Sequence, residues 1–213
     1  MLSDTSKHTL ERLLDRLEQT TEGVGYLRSR GLTKRAADMF RLGVVPTGET
    51  GEWARFAGML AIPYINRAGP VAVKFRAMND DQTPKYTGPA GQKTHLFNAL
   101  ACTDPGDRII VTEGEIDAIT LHAECGIPAV GVPGVTNWKP WYKRCIDGFN
   151  DVVILTDNDV KESGANPGME LAVRVKESMP QARIVTLPPG HDANSFYLEH
   201  GRDGVLSLID PGQ

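Results

Sequence analysis

The sequence predicts an α/β protein in two parts, and three observations support this. Residues 106–213 alternate short, unbroken apolar runs with amphipathic segments, the pattern of a parallel sheet covered by helices on both faces. Residues 1–105 begin with helical periodicity and continue with short apolar runs broken by Gly, Pro and Asn-Asp-Asp, as in a small α+β unit. A turn-forming Asp-Pro-Gly sequence at residues 104–106 lies between the two parts.

The elements of the first part follow from spacing and capping residues. Helices are expected over residues 7–21, 23–29 and 34–40, and strands over residues 59–65, 71–75 and 94–98. Leu10, Leu13, Leu14 and Leu17 give the first helix its apolar face. Thr33 is suited to N-cap the third helix, because its hydroxyl can accept a hydrogen bond from a free N–H of the first turn.

The second part predicts four strand–helix pairs in succession. The strands are expected over residues 108–112, 129–132, 152–156 and 183–187. The helices are expected over residues 115–124, 138–146, 168–178 and 194–199. Parallel strands need such crossover segments, so the alternation favours one parallel sheet over a set of hairpins.

Carboxylates stand at the ends of three of these strands. Glu113 directly follows the first strand, Asp157 and Asp159 follow the third, and Asp192 follows the fourth after a Pro-Pro-Gly-His turn. Ligands of open α/β sheets bind at the carboxyl ends of the strands, so these side chains are expected at one edge. Asp117, four residues after Glu113, can face the same edge from the first helix. For any one of them, helix capping explains an acid equally well.

The chemistry of this group points to a divalent cation. Asp157 and Asp159 in an Asp-Asn-Asp triplet would repel each other unless a cation lay between them. Oxygen ligands without His or Cys suit Mg²⁺ or Mn²⁺. The expected reaction is metal-assisted phosphoryl or nucleotidyl transfer.

Composition and charge exclude several other classes of protein. No apolar run is long enough to span a membrane, and three scattered cysteines predict neither a disulfide framework nor a zinc ribbon, so a reducing cytoplasm is expected. The formal charge of -4 argues against a tight stand-alone binder of nucleic acid. That charge nevertheless divides into +3 for residues 1–105 and -7 for residues 106–213, which suggests two different tasks.

The acidic strings resemble the Toprim domain. Its signature is a Glu after the first strand and Asp-x-Asp after a later one, and Val111-Thr-Glu-Gly-Glu-Ile-Asp117 and Leu155-Thr-Asp-Asn-Asp159 carry both. Leu187-Pro-Pro-Gly-His-Asp192-Ala-Asn194 is similar to the third motif of bacterial-type primases. Many of those primases have a second acid where this chain has Asn194, and the Asp-Ala-Asn form resembles primases fused to phage helicases.

The first part resembles the start of the primase RNA-polymerase domain. The similar strings are Tyr26-Leu-Arg-Ser-Arg30-Gly, Phe40-Arg-Leu-Gly43, Lys74-Phe-Arg76, Thr83-Pro-Lys85-Tyr86 and His95-Leu-Phe-Asn98. The resemblance covers about residues 20–200 in the family's order. It implies a Toprim-like parallel sheet flanked by helices (residues 106–213), preceded by a small helical and α+β basic subdomain (residues 1–105).

The resemblance also implies residue roles and an activity. The activity would be that of a DNA primase, a nucleotidyltransferase that makes short RNA on single-stranded DNA from NTPs. Mg²⁺ or Mn²⁺ would bind Asp157, Asp159 and Asp192, with Glu113 as general base or additional metal ligand and Asp117 supporting it. Arg76 and Lys85 would contact the template or the triphosphate, with Arg30 as a further candidate, and Tyr86 would stack on a base.

Expected partners and alternatives follow from what the sequence contains. It has no zinc-binding module, helicase domain or Walker A motif, so a bare core of phage type is expected. Zinc and a membrane are not expected as partners, whereas a replicative helicase and a separate zinc-binding module in the bacterial cytoplasm are. One alternative is a Toprim nuclease that activates water. Another is a non-catalytic replication adaptor, which Asn194 keeps open.

Overall fold

The protein forms two compact units in the computed structural model, Met1–His95 and Leu96–Gln213. The structure describes residues 4–79, 82–103, 106–158 and 166–211. Each unit has its own cluster of buried apolar side chains. None of the helices in these four ranges is both long and apolar enough to cross a membrane.

Three helices open the first unit, namely α1 (Asp4–Leu14), α2 (Thr21–Ser29) and α3 (Lys34–Met39). The hydroxyl of Thr33 accepts a hydrogen bond from the N–H of Ala36, which confirms the predicted cap. Helix α1 ends seven residues before the predicted end at residue 21, because Glu18 leaves the helical path and pairs with the backbone of Val44.

An antiparallel sheet completes the first unit. Its strands are β1 (Gly43–Val44), β2 (Leu60–Asn66), β3 (Gly69–Arg76) and β4 (Tyr86–Thr87), in spatial order β1-β2-β3-β4. Arg76, the last residue of β3, pairs with Tyr86 of β4. One face of the sheet packs on α1, and the ring of Phe75 from β3 stacks on that of Phe56, with centroids 3.9 Å apart.

The second unit is the predicted strand–helix alternation. Its elements are β5 (Arg108–Thr112), α4 (Glu115–Ile119), β6 (Ala129–Gly131), α5 (Lys143–Ile146), β7 (Asp151–Thr156), α6 (Pro167–Ser178), β8 (Arg183–Thr186) and α7 (Ala193–Ile209). All strand pairs are parallel, in the order β6-β5-β7-β8. The prediction of an α/β fold with a helix-flanked parallel sheet after a small α+β part is confirmed.

Both faces of the parallel sheet are covered, which explains its unbroken apolar strands. Ile109, Val111 and Ile154 pack in one cluster with residues of α5 and α6. The alternating residues Ile110 and Val153 are fully buried on the opposite face, where α4 contacts β5 and α7 contacts β7.

Several further elements differ from the sequence prediction. The helix expected over residues 138–146 is a 3₁₀ turn, Pro140–Tyr142, followed by α5. The helix expected over residues 115–124 is α4 followed by a π-helical turn, Thr120–Glu124, in which the Thr120 hydroxyl donates to the carbonyl of Ile116. Residues 94–98 form one antiparallel bridge, Phe97 with Gly131, rather than a strand. Helix α7 passes the predicted end at residue 199 and kinks at Gly201, whose φ of 65° suits glycine.

Residues 96–103 pack with the second unit. Leu96 and Ala101 belong to its apolar cluster, and Phe97 is 1% exposed. The boundary predicted after residue 105 would place these residues in the first domain.

An ion-pair cluster ties together the amino ends of three strands. Arg108 begins β5, Asp151 begins β7 and Arg183 begins β8. The Asp151 carboxylate accepts hydrogen bonds from Arg108 Nε at 2.6 Å and from Arg183 Nε at 2.9 Å. Asp210, at the end of α7, binds the same two guanidinium groups. This edge of the sheet is therefore fixed by paired charges.

Candidate active site and nucleic-acid interface

The predicted carboxylates lie at the opposite edge of the parallel sheet. Glu113 directly follows β5, and Asp157 directly follows β7; both side chains are half-buried. Because β5 and β7 are parallel neighbours, their carboxyl ends lie side by side. Asp192 precedes α7, after the turn that follows β8. Asp159, the remaining predicted ligand, lies outside the described residues.

Asp117 is buried in α4 and folds back on the turn that carries Glu113. Its Oδ1 accepts a hydrogen bond of 3.0 Å from the N–H of Asn194 at the start of α7. A Cβ on Gly114 would lie 2.4 Å from its Oδ2, so a side chain at the centre of the Glu-Gly-Glu string would displace the Asp117 carboxylate. Asp117 thus links the β5–α4 turn to the start of α7.

The electrostatics of Asp117 show excess negative charge at this edge. Burial, together with the charges of Asp192, Glu115 and Glu113, raises the pKa of Asp117 to about 7, and the hydrogen bond from the Asn194 N–H opposes part of this shift. Glu115 is only 3% exposed, and sequence reasoning missed it as a site residue although it lies between Glu113 and Asp117 in the Toprim-like string. A concentration of oxygen donors that raises a neighbouring pKa suits a hard divalent cation.

The metal ligand set itself remains a prediction. Within the described residues, no three of these carboxylates bring ligand atoms within 4.8 Å of one another, and Asp159 is not among them. Asp192 uses one oxygen to N-cap α7, since its Oδ1 accepts a hydrogen bond of 2.6 Å from the N–H of Ser195. The residues that could hold a metal here are Glu113, Asp157, Asp159 and Asp192.

Asn194 is a buried residue whose side chain and backbone N–H both donate hydrogen bonds within the protein. It is completely buried, and its Nδ2 donates to the hydroxyl of Thr120 at 2.9 Å. Its backbone N–H binds Asp117, so an acid in this position would add a second carboxyl beside an already buried one. The amide therefore suits the interior of this site.

A glycine at the start of α6 lies against Asp157. A Cβ on Gly168 would stand 2.6 Å from the Asp157 carbonyl oxygen, so the helix can approach the end of β7 only with glycine there. Asn166 caps α6 by accepting a hydrogen bond from the N–H of Met169. The Asn-Pro-Gly string was the available sequence signal, and sequence reasoning did not connect it with the site.

The first unit holds a cluster of aromatic and basic side chains, here called the tyrosine–arginine cluster, formed by Tyr26, Arg30, Lys74, Arg76 and Tyr86. The Arg76 guanidinium lies between two rings, 5.5 Å from the centroid of Tyr26 and 4.7 Å from that of Tyr86. Arg76 also donates a hydrogen bond to the Tyr86 hydroxyl. Arg30 lies 5.5 Å from the Tyr26 centroid, and Lys74 lies 5.5 Å from that of Tyr86.

Burial divides this cluster into an organising part and an accessible part. Arg76 is 5% exposed, and its Nε and the Tyr26 hydroxyl are buried without a hydrogen-bond partner in the described part of the chain. Arg30, Lys74 and both tyrosines are half-buried, and Lys85 beside Tyr86 is exposed. The structure thus brings together three of the four predicted binding residues. Tyr26 and Lys74 were missed as members, although both stand in the primase-like strings.

Comparison with known proteins shows which families the chain is similar to. The Toprim domain model matches residues 108–203. The Gene 57 protein of Mycobacterium phage D29 is 42% identical over 160 residues, which cover 72% of this chain and 99% of that protein. The DNA primase of Clostridium acetobutylicum is 24% identical over 227 residues, covering 98% of this chain.

Solved structures have the same fold. The structure described as the DnaG primase catalytic domain bound to ssDNA has a TM-score of 0.77 and 19% identity, and the match covers 98% of this chain and 80% of that one. A DNA primase domain from Pseudomonas aeruginosa has a TM-score of 0.75 and 23% identity, covering 95% and 77%. At these identities the likeness concerns the fold alone.

The chain corresponds to very different fractions of the lengths of its two relatives. It spans 37% of the length of the Clostridium primase but nearly the whole phage protein. The match runs through both units, and the primase-like motifs follow the order of the family. The chain carries a Toprim domain, belongs to the same family as the Gene 57 protein of Mycobacterium phage D29, and is similar through both units to bacterial DnaG-type primases.

Proposed function

We propose that the chain is the catalytic core of a DNA primase, a nucleotidyltransferase that joins ribonucleotides on a single-stranded DNA template. The observation that carries the proposal is that a single chain holds both an acidic strand edge and a tyrosine–arginine cluster. The first suits the chemistry of phosphoryl transfer, and the second suits bases and phosphates. The names of the relatives, DNA primases, support the same conclusion.

At the acidic edge, we assign a separate task to each carboxylate. Asp157, Asp159 and Asp192, with Glu113, would hold Mg²⁺ or Mn²⁺, which when bound neutralises charge on the triphosphate and on the attacked phosphorus. Glu113 is half-buried at the open end of β5, where it can accept the proton of an attacking 3′-hydroxyl. Asp117 holds the start of α7 through the Asn194 N–H, and so positions Asp192.

In the tyrosine–arginine cluster, the buried and exposed residues act differently. Arg76 keeps the rings of Tyr26 and Tyr86 apart and oriented, so that Tyr86 can stack on a base. Lys85, Lys74 and Arg30 supply accessible positive charge for the template backbone or the incoming triphosphate. Since the whole chain carries a formal charge of -4, we expect weak DNA binding that falls steeply with salt.

The proposal extends to partners and location. A core of this kind would work beside a replicative helicase and a separate zinc-binding module, on single-stranded DNA in the bacterial cytoplasm. Those partners would supply DNA affinity, because a chain with a net negative charge binds the template weakly by itself.

The test is primer synthesis from labelled NTPs on mixed-sequence single-stranded DNA with Mg²⁺ or Mn²⁺, with the products sized on a gel. Ladders of short RNA are expected from the wild-type chain and from Asp203→Asn, a control whose side chain is 97% exposed. The double variant Asp157→Ala/Asp159→Ala should lose nearly all synthesis while it still binds DNA.

The other outcomes separate the competing functions. Loss of the DNA strand without RNA synthesis would assign a Toprim nuclease, in which the same acids activate water. Retained DNA binding without any metal-dependent product would assign a non-catalytic adaptor. Synthesis by the double variant at the wild-type rate would overturn the role of the acidic edge.

A further inference from the structure

A histidine–carboxylate cluster lies near the start of α7 and consists of side chains that are not among the predicted metal ligands. His191, Glu199 and His200 bring one ligand atom each within 4.8 Å of one another, the sole such group of three among the described residues. His191 Nε2 is 2.9 Å from Glu199 Oε2, and His200 Nε2 is 3.6 Å from Glu199 Oε1. The side chains are 23%, 61% and 42% exposed, so solvent reaches all three.

The local fold holds the two imidazole rings beside the carboxylate. The ring of Phe196, itself 7% exposed, lies 5.8 Å from the ring of His191 and 4.4 Å from that of His200. A Cβ on Gly204 would stand 2.3 Å from the Cβ of His200, so the glycine leaves the room that His200 occupies. The kink at Gly201 ends the first helical segment directly after His200.

The donor set selects the class of ligand. A carboxylate between two imidazoles disfavours an anion, because Glu199 would repel a phosphate or sulfate at this position. Two nitrogens and one oxygen form a common three-ligand set for Zn²⁺, with water in the fourth position. Donors about 2.0–2.2 Å from such an ion lie roughly 3.3 Å apart in a tetrahedron. The separations of 2.9 and 3.6 Å are near this value, and they join the two histidines to different oxygens of Glu199.

We propose that His191, Glu199 and His200 bind Zn²⁺ or a similar borderline divalent cation at a site separate from the acidic edge. The bound ion links the turn before α7 to the last turn before the kink at Gly201. Because His191 directly precedes Asp192, the ion also restrains the turn that carries this predicted magnesium ligand. The site differs in kind from the acidic edge, whose oxygen-only donors suit a harder ion.

The simplest alternative is an ion pair in which Glu199 bridges two histidines without any metal. An ion pair and a metal site predict different zinc affinities, so direct binding separates them. The test is independent of the proposed polymerase activity, because it measures metal binding and not catalysis.

The experiment is Zn²⁺ titration by calorimetry of the full chain, with Mg²⁺ in excess to compete at the acidic edge. All proteins carry Cys145→Ser, since the exposed Cys145 thiol could bind zinc by itself. One equivalent of Zn²⁺ should bind, and His200→Ala and Glu199→Gln should each weaken the affinity by at least about tenfold. His8→Ala, which removes an exposed histidine in α1, should bind as tightly as the reference protein.

A second measurement distinguishes a loss of zinc binding from misfolding of a variant. In NMR spectra of the histidine rings, Zn²⁺ should shift the signals of His191 and His200 and leave those of His8 unchanged. Equal zinc affinity in the His200→Ala and reference proteins, or ring signals of His191 and His200 that do not respond, would overturn the proposal.

Discussion

At the scale of one residue, Asp117 shows that the concentration of acids at this edge lowers the stability of the folded protein when the carboxyl is charged. Its carboxyl is buried among other acids, and its pKa is raised from 3.8 to about 7. A group with a raised folded-state pKa binds its proton more tightly in the folded chain. Stability from that proton is fully present below about pH 4 and is lost as the pH rises through about 7.

The prediction is that Asp117→Asn stabilises the metal-free protein at pH 8. Asn keeps an oxygen that can accept the Asn194 N–H and removes the buried charge. We expect a gain on the order of a few kcal/mol at pH 8, visible as a rise of several degrees in Tm, and a clearly smaller gain at pH 5. Thermal unfolding followed by circular dichroism at the two pH values measures it.

The matched control is Asp203→Asn, which removes an exposed acid and should leave Tm nearly unchanged at both pH values. An Asp117→Asn gain of the same size at pH 5 and pH 8 would contradict the assigned cause. Added Mg²⁺ should stabilise the wild-type protein at pH 8, because a cation at this edge offsets the same repulsion.

At the scale of elements, the sequence predicted the parallel strands best. The span of β5 was predicted to the residue, and β7 to within one residue, because buried parallel strands are unbroken apolar runs. The edge that holds Glu113 and Asp157 followed from those two strand ends. Thr33 was predicted as a cap because threonine is favoured directly before the first turn of a helical pattern.

Elements set by tertiary contacts were not predictable in this way. The π-helical turn after α4 has nearly the same apolar pattern as the α-helix expected there. Phe97 looked like part of a strand, but its partner Gly131 lies 34 residues later and offers a single bridge. The burial of Glu115 beside Asp117 likewise depends on the folded chain, since an acid in the first turn of a helix is ordinarily exposed.

Asp151, the first residue of β7, holds neighbouring strands together. Its two oxygens join Arg108 and Arg183, so it connects the amino ends of β5, β7 and β8. Hydrogen bonds from Arg183, then Arg108, lower the pKa of Asp151 below its usual value. A lowered carboxyl pKa contributes stability above the unfolded-state pKa, and that stability is lost as the pH falls.

Asp151→Asn should therefore lower the free energy of unfolding by about 1–2 kcal/mol at pH 7, with a smaller difference near pH 3. Urea unfolding at both pH values gives the two numbers. Because Asp151 lies at the opposite end of β7 from Asp157, primer synthesis per folded molecule should match that of the wild type. A loss of synthesis without a loss of stability would mean that the two edges are coupled.

At the scale of the whole molecule, the two units have separate apolar cores. The first is built around Phe56 and Phe75, and the second around the parallel sheet with Leu96 and Ala101. Since residues 96–103 pack with the second core, the two candidate boundaries have different consequences for an isolated second unit.

A fragment of residues 96–213 should unfold in one cooperative transition. A fragment of residues 106–213 lacks the side chains of Leu96, Phe97 and Ala101, all buried in the full chain. Loss of this burial should lower its stability by several kcal/mol, about 2–5 for each large side chain before relaxation. Chemical denaturation of both fragments decides between the boundaries: equal stability would favour a division after residue 105.

The single bridge between Phe97 and Gly131 has a consequence for the behaviour of the protein in concentrated solution. Strand β6 is one of the two outer strands of the parallel sheet, and Phe97 exchanges hydrogen bonds of 2.9 and 3.3 Å with Gly131 on the side of β6 that faces away from β5. The Asn98 side chain occupies the carbonyl of Ala129 on the same strand. An outer strand with occupied backbone groups cannot recruit a strand from a neighbouring molecule, which is how native sheets avoid aggregation. These two residues thus protect one of the two outer strands of the parallel sheet against self-templated assembly.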